Sequence, residues 1–313
     1  MLNYLQLKVS YFFSITAVRP YLWGKPAFLS VEPTTSCNLG CPECFTTQPD
    51  FTRPKGMLTS ETFEMILSQA ARHVFYLNLY FQGEPFLNKN LIDYILSGKR
   101  AGMYVAISTN GHFLDPSNAE RIIYSSLDRL IVSLDGADAE TYNLYRKGGD
   151  FESVVKGIKT VVELKKKKNS RNPFIELQFV VTRKNQSQRK EFINLGKELG
   201  VDKTTLKTFQ LLNLHQAREW LPDSNSRYSI SGDGSVKIRN KLRNRCFRMW
   251  SSCVITWEGN VIPCCFDKNA SRIMGNINRQ NLYEIWSNKE YSDFRKKVFS
   301  ERKKIDICCN CSE

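Results

Sequence analysis

Residues 35–44 read TSCNLGCPEC and place Cys37, Cys41 and Cys44 in a C-x3-C-x2-C array directly after the apolar, strand-like run AFLSVEP at 27–33. Three thiolates on one short loop can hold three irons of a cubic 4Fe-4S cluster and leave the fourth iron open to a substrate or cofactor. Two other readings compete. Structural zinc closes its tetrahedron with four Cys or His ligands in spaced pairs, and the nearest histidine, His73, lies well outside the loop. Disulfides fit poorly, because neighbouring cysteines this close cannot pair comfortably and the chain shows no convincing export signal.

Outward from the loop, apolar runs and helical segments alternate. Strands are predicted near 27–33, 74–81, 103–108, 129–134, 174–182 and 203–209. Helices are predicted at 60–72, 90–101, 116–125, 151–168 and 187–199. Such alternation means parallel strands joined by right-handed crossovers. With 313 residues, 42% of them hydrophobic, the chain has material for about two domains and a substantial core.

The order of motifs on these strands resembles the radical S-adenosylmethionine (SAM) enzymes over roughly residues 27–210. After the cysteine loop comes VFYLNLYFQGEP, ending in Gly83-Glu84-Pro85, which resembles the GGEP element of that superfamily with Gln82 in place of the first glycine. The embedded NLYFQG merges into this element and reads as strand, not as a protease-tag remnant. VAISTNG at 105–111 and LIVSLDG at 130–136 resemble the next two strand ends. The resemblance implies an α/β fold, a partial (β/α)6 barrel with its active groups at the C-terminal ends of the strands. It also implies that the amine and carboxylate of SAM chelate the open iron. Glu84 and the Gly83 carbonyl would then accept from the SAM ammonium, Ser108 and Asn110 would reach the ribose, and Ser133 lies at the following strand end. Arg146, in YRKGGDF, would pair with the SAM carboxylate. The plain alternatives are strand-end turns, solvated polar tips and a surface arginine. The family commonly has an aromatic residue just before the last cysteine; this chain has Glu43 there, with Phe45 as the candidate replacement against the adenine.

A second cysteine group occupies the C-terminal part: Cys246, Cys253, Cys264, Cys265, Cys308, Cys309 and Cys311. Cys246 and Cys264, 18 apart, flank the hairpin-like CVITWEGNVIPC with Glu258-Gly259-Asn260 at its turn, and Cys308 and Cys311 form a C-x2-C. Together with MGNINRQNLYEIW this resembles the auxiliary-cluster domain of the SPASM and twitch branch, in its short form with one 4Fe-4S cluster. The implied ligands are Cys246, Cys264, Cys308 and Cys311. Cys265 is an alternative to Cys264, and Cys253, Cys265 and Cys309 otherwise read as small buried hydrophobes. A zinc ribbon is the structural alternative. The expected organisation is an N-terminal helical extension at 1–26, a radical SAM core at 27–210, a linker or substrate loop at 211–245 and a small Cys-rich α+β auxiliary-cluster domain at 246–313.

Oxygen-sensitive use of ten cysteines implies a reducing, cytoplasmic setting. The N-terminal MLNYLQLKVSYFFSITAVRPYLWG is too short in its apolar part to span a bilayer. It reads as a helix packed on the barrel, with membrane-surface contact as the lesser alternative. Lys and Arg exceed Asp and Glu by 45 − 31 = 14, which also suits a nucleic-acid substrate, but no basic stretch interleaves aromatics. The expected chemistry is reductive cleavage of SAM at the first cluster, fed by a one-electron donor such as flavodoxin or ferredoxin, followed by hydrogen abstraction. The substrate would be an alcohol or carbohydrate, or a peptide side chain. An RNA- or nucleotide-modifying enzyme and a non-catalytic metal-binding scaffold are the alternatives. His215 and Asp223 are the available bases in the 211–245 segment.

Overall fold

The computed structural model describes residues 2–49, 51–212, 216–224, 226–239, 241–309 and 311. Helix α1 (Leu2–Ala17) leads into β1 (Phe28–Val31), α2 (Ser60–Ala70), β2 (Tyr76–Asn78), α3 (Leu91–Arg100), β3 (Tyr104–Thr109), α4 (Pro116–Tyr124) and β4 (Arg129–Ser133). Then follow α5 (Ala139–Tyr145), α6 (Phe151–Lys167), β5 (Phe174–Val181), α7 (Arg189–Glu198), β6 (Lys203–Thr208) and α8 (Ala217–Trp220). The C-terminal part has β7 (Tyr228–Ile230), β8 (Val236–Ile238), α9 (Arg248–Ser251), β9 (Ser252–Ile255), β10 (Asn260–Ile262), β11 (Gly275–Asn276), α10 (Leu282–Ser287) and α11 (Lys289–Glu301).

Helix starts follow from side-chain caps on otherwise orphaned N–H groups. Thr62 N–H donates to Thr59 at α2, Asn118 N–H to Asp115 at α4, and Glu152 and Ser153 N–H to Asp150 at α6. Helix α5, which sequence periodicity does not announce, begins the same way on Asp138.

Strands β1 to β6 pair in order, all parallel, as the alternation predicts. The C-terminal strands join this sheet. β9 lies parallel to β1, with Phe28 opposite Ser252, and β10 and β11 follow antiparallel. The β9–β10 turn holds Gly259 at φ +82°, as the predicted hairpin requires. The polar 224–235 stretch, expected within a linker or substrate loop, contributes β7 and the turn of a separate β7–β8 hairpin.

Alternation splits the barrel sheet into two unlike faces. Leu29, Leu77, Val105, Ile107, Leu130, Val132, Leu177 and Phe179 are sealed under the helices. Their neighbours Ser30, Asn78, Ser108, Ser133 and Gln178 are only half-buried, on the opposite face. A parallel sheet normally buries apolar residues on both faces, so a polar inner face marks an interior left open for something other than core. No helix among the described residues is long and apolar enough to cross a membrane. α1 packs through Leu7, with the Tyr4 and Tyr11 rings against Phe28, Phe247 and Trp250.

Candidate active site

The cysteine loop sits at the C-terminal end of β1, and the Gly83-Glu84-Pro85 turn after β2 is seated directly on it. Glu84 N–H donates to Ser36 O at 2.8 Å. Gly83 has φ +69°, and a Cβ there would lie 2.5 Å from Thr34 O and 2.6 Å from Ser36 O. Only glycine permits that approach.

The Glu84 carboxylate is buried and accepts from Phe86 N–H at 3.2 Å, Thr109 Oγ1 at 2.8 Å and Asn110 N–H at 2.8 Å. Burial pushes its pKa up to about 7 against the pull of these bonds and of Arg146. Asn110 continues to the loop. Its Nδ2 donates to Asn38 Oδ1 at 2.8 Å and reaches Cys37 Sγ at 3.9 Å. Its Oδ1 accepts from His112 N–H and faces His112 Nδ1 at 3.0 Å, while His112 Nε2 accepts from Asp150 N–H. That pairing selects the neutral Nδ1–H tautomer, and burial lowers the His112 pKa. Thr109 and His112 are site residues that sequence reading missed. Only their place beside Asn110 could have suggested them.

Arg146 is not a surface arginine. It follows α5, and its Nε and Nη2 both reach Asp135 Oδ2 at 2.6 Å; the Asp135 side chain is fully covered and also accepts from Val180 N–H. Although burial opposes the charge, Asp135 and Cys41 hold the Arg146 pKa above its ordinary value. Its guanidinium lowers the pKa of Cys37, Cys41 and Glu84, three groups that burial pushes up, Cys41 to about 11. One half-buried cation therefore faces the thiols and the carboxylate together. Asp135, inside LIVSLDG, is the residue that positions it, and it too was missed.

Glu43 is buried, and its Oε2 accepts from Leu212 N–H at 2.8 Å, tying the cysteine loop to the segment after β6. That segment covers the loop with Phe209, Leu211 and Trp220, packed with Tyr145, Leu39 and Cys41. Phe45 packs edge-on against Phe51 at 6.3 Å. Ser108 and Ser133 lie half-buried on the inner face of the barrel sheet. Asp223 is an exposed partner of Arg183 and Gln186, a surface pair and not a site base; His215 lies outside the described residues.

The second group also converges. Cys246, Cys264, Cys308 and Cys311 line one small cavity with Met249, Phe294 and Val298. The buried Arg302 donates from Nη2 to Cys311 Sγ at 3.4 Å. Burial opposes its charge, and Cys246, Cys311 and Cys308 raise its pKa nonetheless. Cys265 does not line this cavity. It neighbours Arg248 Nη1 at 3.4 Å and, with Cys264, walls a cavity of about 310 Å³ lined on its other side by Ser30, Tyr76 and Asn78 of the barrel interior. Cys253 is a buried small hydrophobe as expected, but Cys309 is exposed at the end of a 3-10 turn, where its thiol meets Lys303 O and Ile305 O. No disulfide joins the described cysteines. Among the described residues no three His, Cys, Asp or Glu side chains gather around a single ion. A cluster asks for less, since each iron takes one thiolate.

Residues 31–175 match the family model of the radical SAM superfamily, and residues 246–312 match that of the SPASM iron-sulfur cluster-binding domain. The chain is a radical SAM enzyme with a SPASM domain. It is 25% identical to the tungsten-containing aldehyde ferredoxin oxidoreductase cofactor-modifying protein of Pyrococcus furiosus, over 91% of this chain and 87% of that one. It is 26% identical to the mycofactocin maturase MftC of Mycolicibacterium smegmatis, over 91% of this chain and 75% of that one. Streptococcus suis SuiB bound to its precursor peptide SuiA shares the fold at TM-score 0.66 and 17% identity, over 98% of this chain and 74% of that one. The cofactors of such an enzyme are SAM, the 4Fe-4S cluster that binds it, and auxiliary iron-sulfur in the SPASM domain. The residues present suit them: thiols with N–H donors aimed at sulfur, as from Leu39 to Cys37 at 3.4 Å, and a backbone cradle at Gly83 that a side chain would fill.

Proposed function

We propose that Cys37, Cys41 and Cys44 hold the SAM-binding cluster, and that Cys246, Cys264, Cys308 and Cys311 hold one auxiliary 4Fe-4S cluster. When bound, these groups supply one-electron cleavage of SAM and a deoxyadenosyl radical that takes a hydrogen atom from the substrate. The chain's own residues do the rest. Glu84, as carboxylate, accepts from the SAM ammonium beside the Gly83 carbonyl; Arg146, held charged by Asp135, faces the SAM carboxylate; Ser108, Asn110 and Ser133 face the ribose side. The segment after β6, tied down through Glu43, keeps water from the loop. The core is residues 27–210 and the auxiliary-cluster domain 246–313, with 211–245 as the cover over the loop. A flavodoxin or ferredoxin is the proposed donor.

The observation that carries the substrate reading is the cavity between Ser30, Tyr76 and Asn78 of the barrel and Cys264 and Cys265 of the second cysteine group. A substrate there lies against the second cysteine group, on the inner face of the barrel sheet, among hydroxyl, amide and guanidinium donors. This suits a polar group with an abstractable C–H: an alcohol, or a peptide side chain, the latter favoured by likeness to a maturase and to a peptide-bound enzyme. The test is deuterium transfer. Candidate peptides and alcohols labelled at carbon are incubated with reduced, iron-loaded protein and SAM. Faster deoxyadenosine formation with label in its 5′ position supports the reading. Iron-loaded protein that never yields deoxyadenosine, or yields it without label from every candidate, contradicts it.

A further inference from the structure

Helix α1 is apolar on two faces, and covering a core accounts for only one of them. Its inward face packs Tyr4, Leu7, Tyr11 and Ile15 on the barrel and covers Ser10 and Ser14 fully, the Ser14 hydroxyl bonding Ser10 O and Tyr21 O. Its outward face carries a second set of apolar side chains at helical spacing: Leu2, Leu5, Val9, Phe12 and Phe13. Leu5 is 57% exposed, Phe12 63% and Phe13 48%. The chain returning from the helix adds Trp23, 51% exposed, with its ring 5.3 Å from that of Phe13. The return is held in place, because Trp250 Nε1 donates to Tyr21 O and Trp286 Nε1 to Gly24 O.

The charge of the segment that carries this patch has one sign. Lys8, Arg19 and Lys25 accompany it, and no Asp or Glu occurs before Glu32, which is itself buried against Arg53. Beside α1, past Tyr11, a surface cavity of about 580 Å³ is lined by Lys241, Arg243 and Arg245.

We propose that α1 is an interfacial helix that docks this enzyme on an anionic lipid bilayer, with Leu5, Val9, Phe12, Phe13 and Trp23 entering the headgroup boundary. An apolar outward stripe rimmed by cations and without acids is the pattern that binds such a surface, and tryptophan settles at that depth. The charge selects this occupant over a second copy of the chain, which would bring another +14 and the same basic rim against the first. The inference is independent of the catalytic reading.

The test is sedimentation of the full-length, iron-loaded chain with sucrose-loaded vesicles. Phosphatidylcholine with about 30% phosphatidylserine is compared with phosphatidylcholine alone. The chain is expected to bind the anionic vesicles at least about tenfold more tightly than the neutral ones and to lose most of that preference in high salt. Phe12→Ser/Phe13→Ser should weaken binding about tenfold or more while iron content and circular dichroism stay as in the parent. Should that variant misfold, Trp23→Ser gives the same reading with a smaller loss. Binding that is absent, indifferent to lipid charge, or unchanged in the folded variants overturns the proposal. So does a dimer in solution that Phe12→Ser/Phe13→Ser dissociates, since a second copy would then be the occupant.

Discussion

Glu84 can be recognised from its position in the sequence, but the bonds it makes cannot. The sequence places it at a strand end beside the cysteine loop, which is where it lies. What the sequence does not show is that its oxygens already accept from Phe86, Thr109 and Asn110, or that burial lifts its pKa to about 7. The sign of the resulting pH effect follows directly. A carboxyl that titrates higher in the folded chain than in the unfolded one binds protons more tightly when folded. Its contribution is therefore complete below the unfolded value and is lost as pH rises through about 7. In the cofactor-free chain, the stability of the parent relative to Glu84→Gln should fall by on the order of 3 kcal/mol between roughly pH 5 and pH 8. Urea unfolding of the two proteins at those pH values measures it, and a difference that stays constant with pH contradicts it.

At the scale of elements, the barrel strands and most of their helices were legible because each signal was local: an apolar run of strand length, a cap such as Thr59 or Asp115, a glycine that must turn. Helix α5 was not. Seven residues with one cap and no long periodicity leave little to read, yet α5 carries the chain into Arg146 and sets it on Asp135. Arg146 could be nominated from a resemblance, but its partner lies in the β4–α5 turn at the other end of α5, and a pairing of that kind is a property of the fold, not of spacing. The same reason hid the choice between Cys264 and Cys265. The two thiols lie side by side just past β10, and only the folded chain shows that Cys264 reaches the cavity of Cys246, Cys308 and Cys311 while Cys265 does not line it. Asp135→Asn keeps the shape and removes a fully covered charge, leaving the half-buried Arg146 without its counter-ion. It should destabilise the chain by about 3–5 kcal/mol and weaken SAM binding as well. Thermal unfolding followed by circular dichroism checks the first part; a melting temperature equal to that of the parent would show that Arg146 does not need the pair.

Over the whole molecule, the C-terminal strands extend the barrel sheet through β9 against β1, so the two cysteine groups stand on one continuous framework. β1 runs between them, ending at the Cys37 loop and pairing alongside Cys253. Ser30 and Asn78 carry the polar inner face to the wall formed by Cys264 and Cys265. The chain thus sets the second thiol cluster against a cavity of the barrel's inner face, with an arginine near each of the two clusters: the half-buried Arg146 near Cys41 and the buried Arg302 near Cys311. Everything proposed for catalysis depends on the first of these clusters being the open one. The most direct test is deoxyadenosine formation from SAM by anaerobically reconstituted, dithionite-reduced protein, comparing the parent with Cys37→Ala/Cys41→Ala/Cys44→Ala and counting iron in the same samples. The parent should contain about eight irons and cleave SAM; the variant should keep about four, in the C-terminal group, and form no deoxyadenosine. A variant that still cleaves SAM would place the open cluster elsewhere and contradict the account.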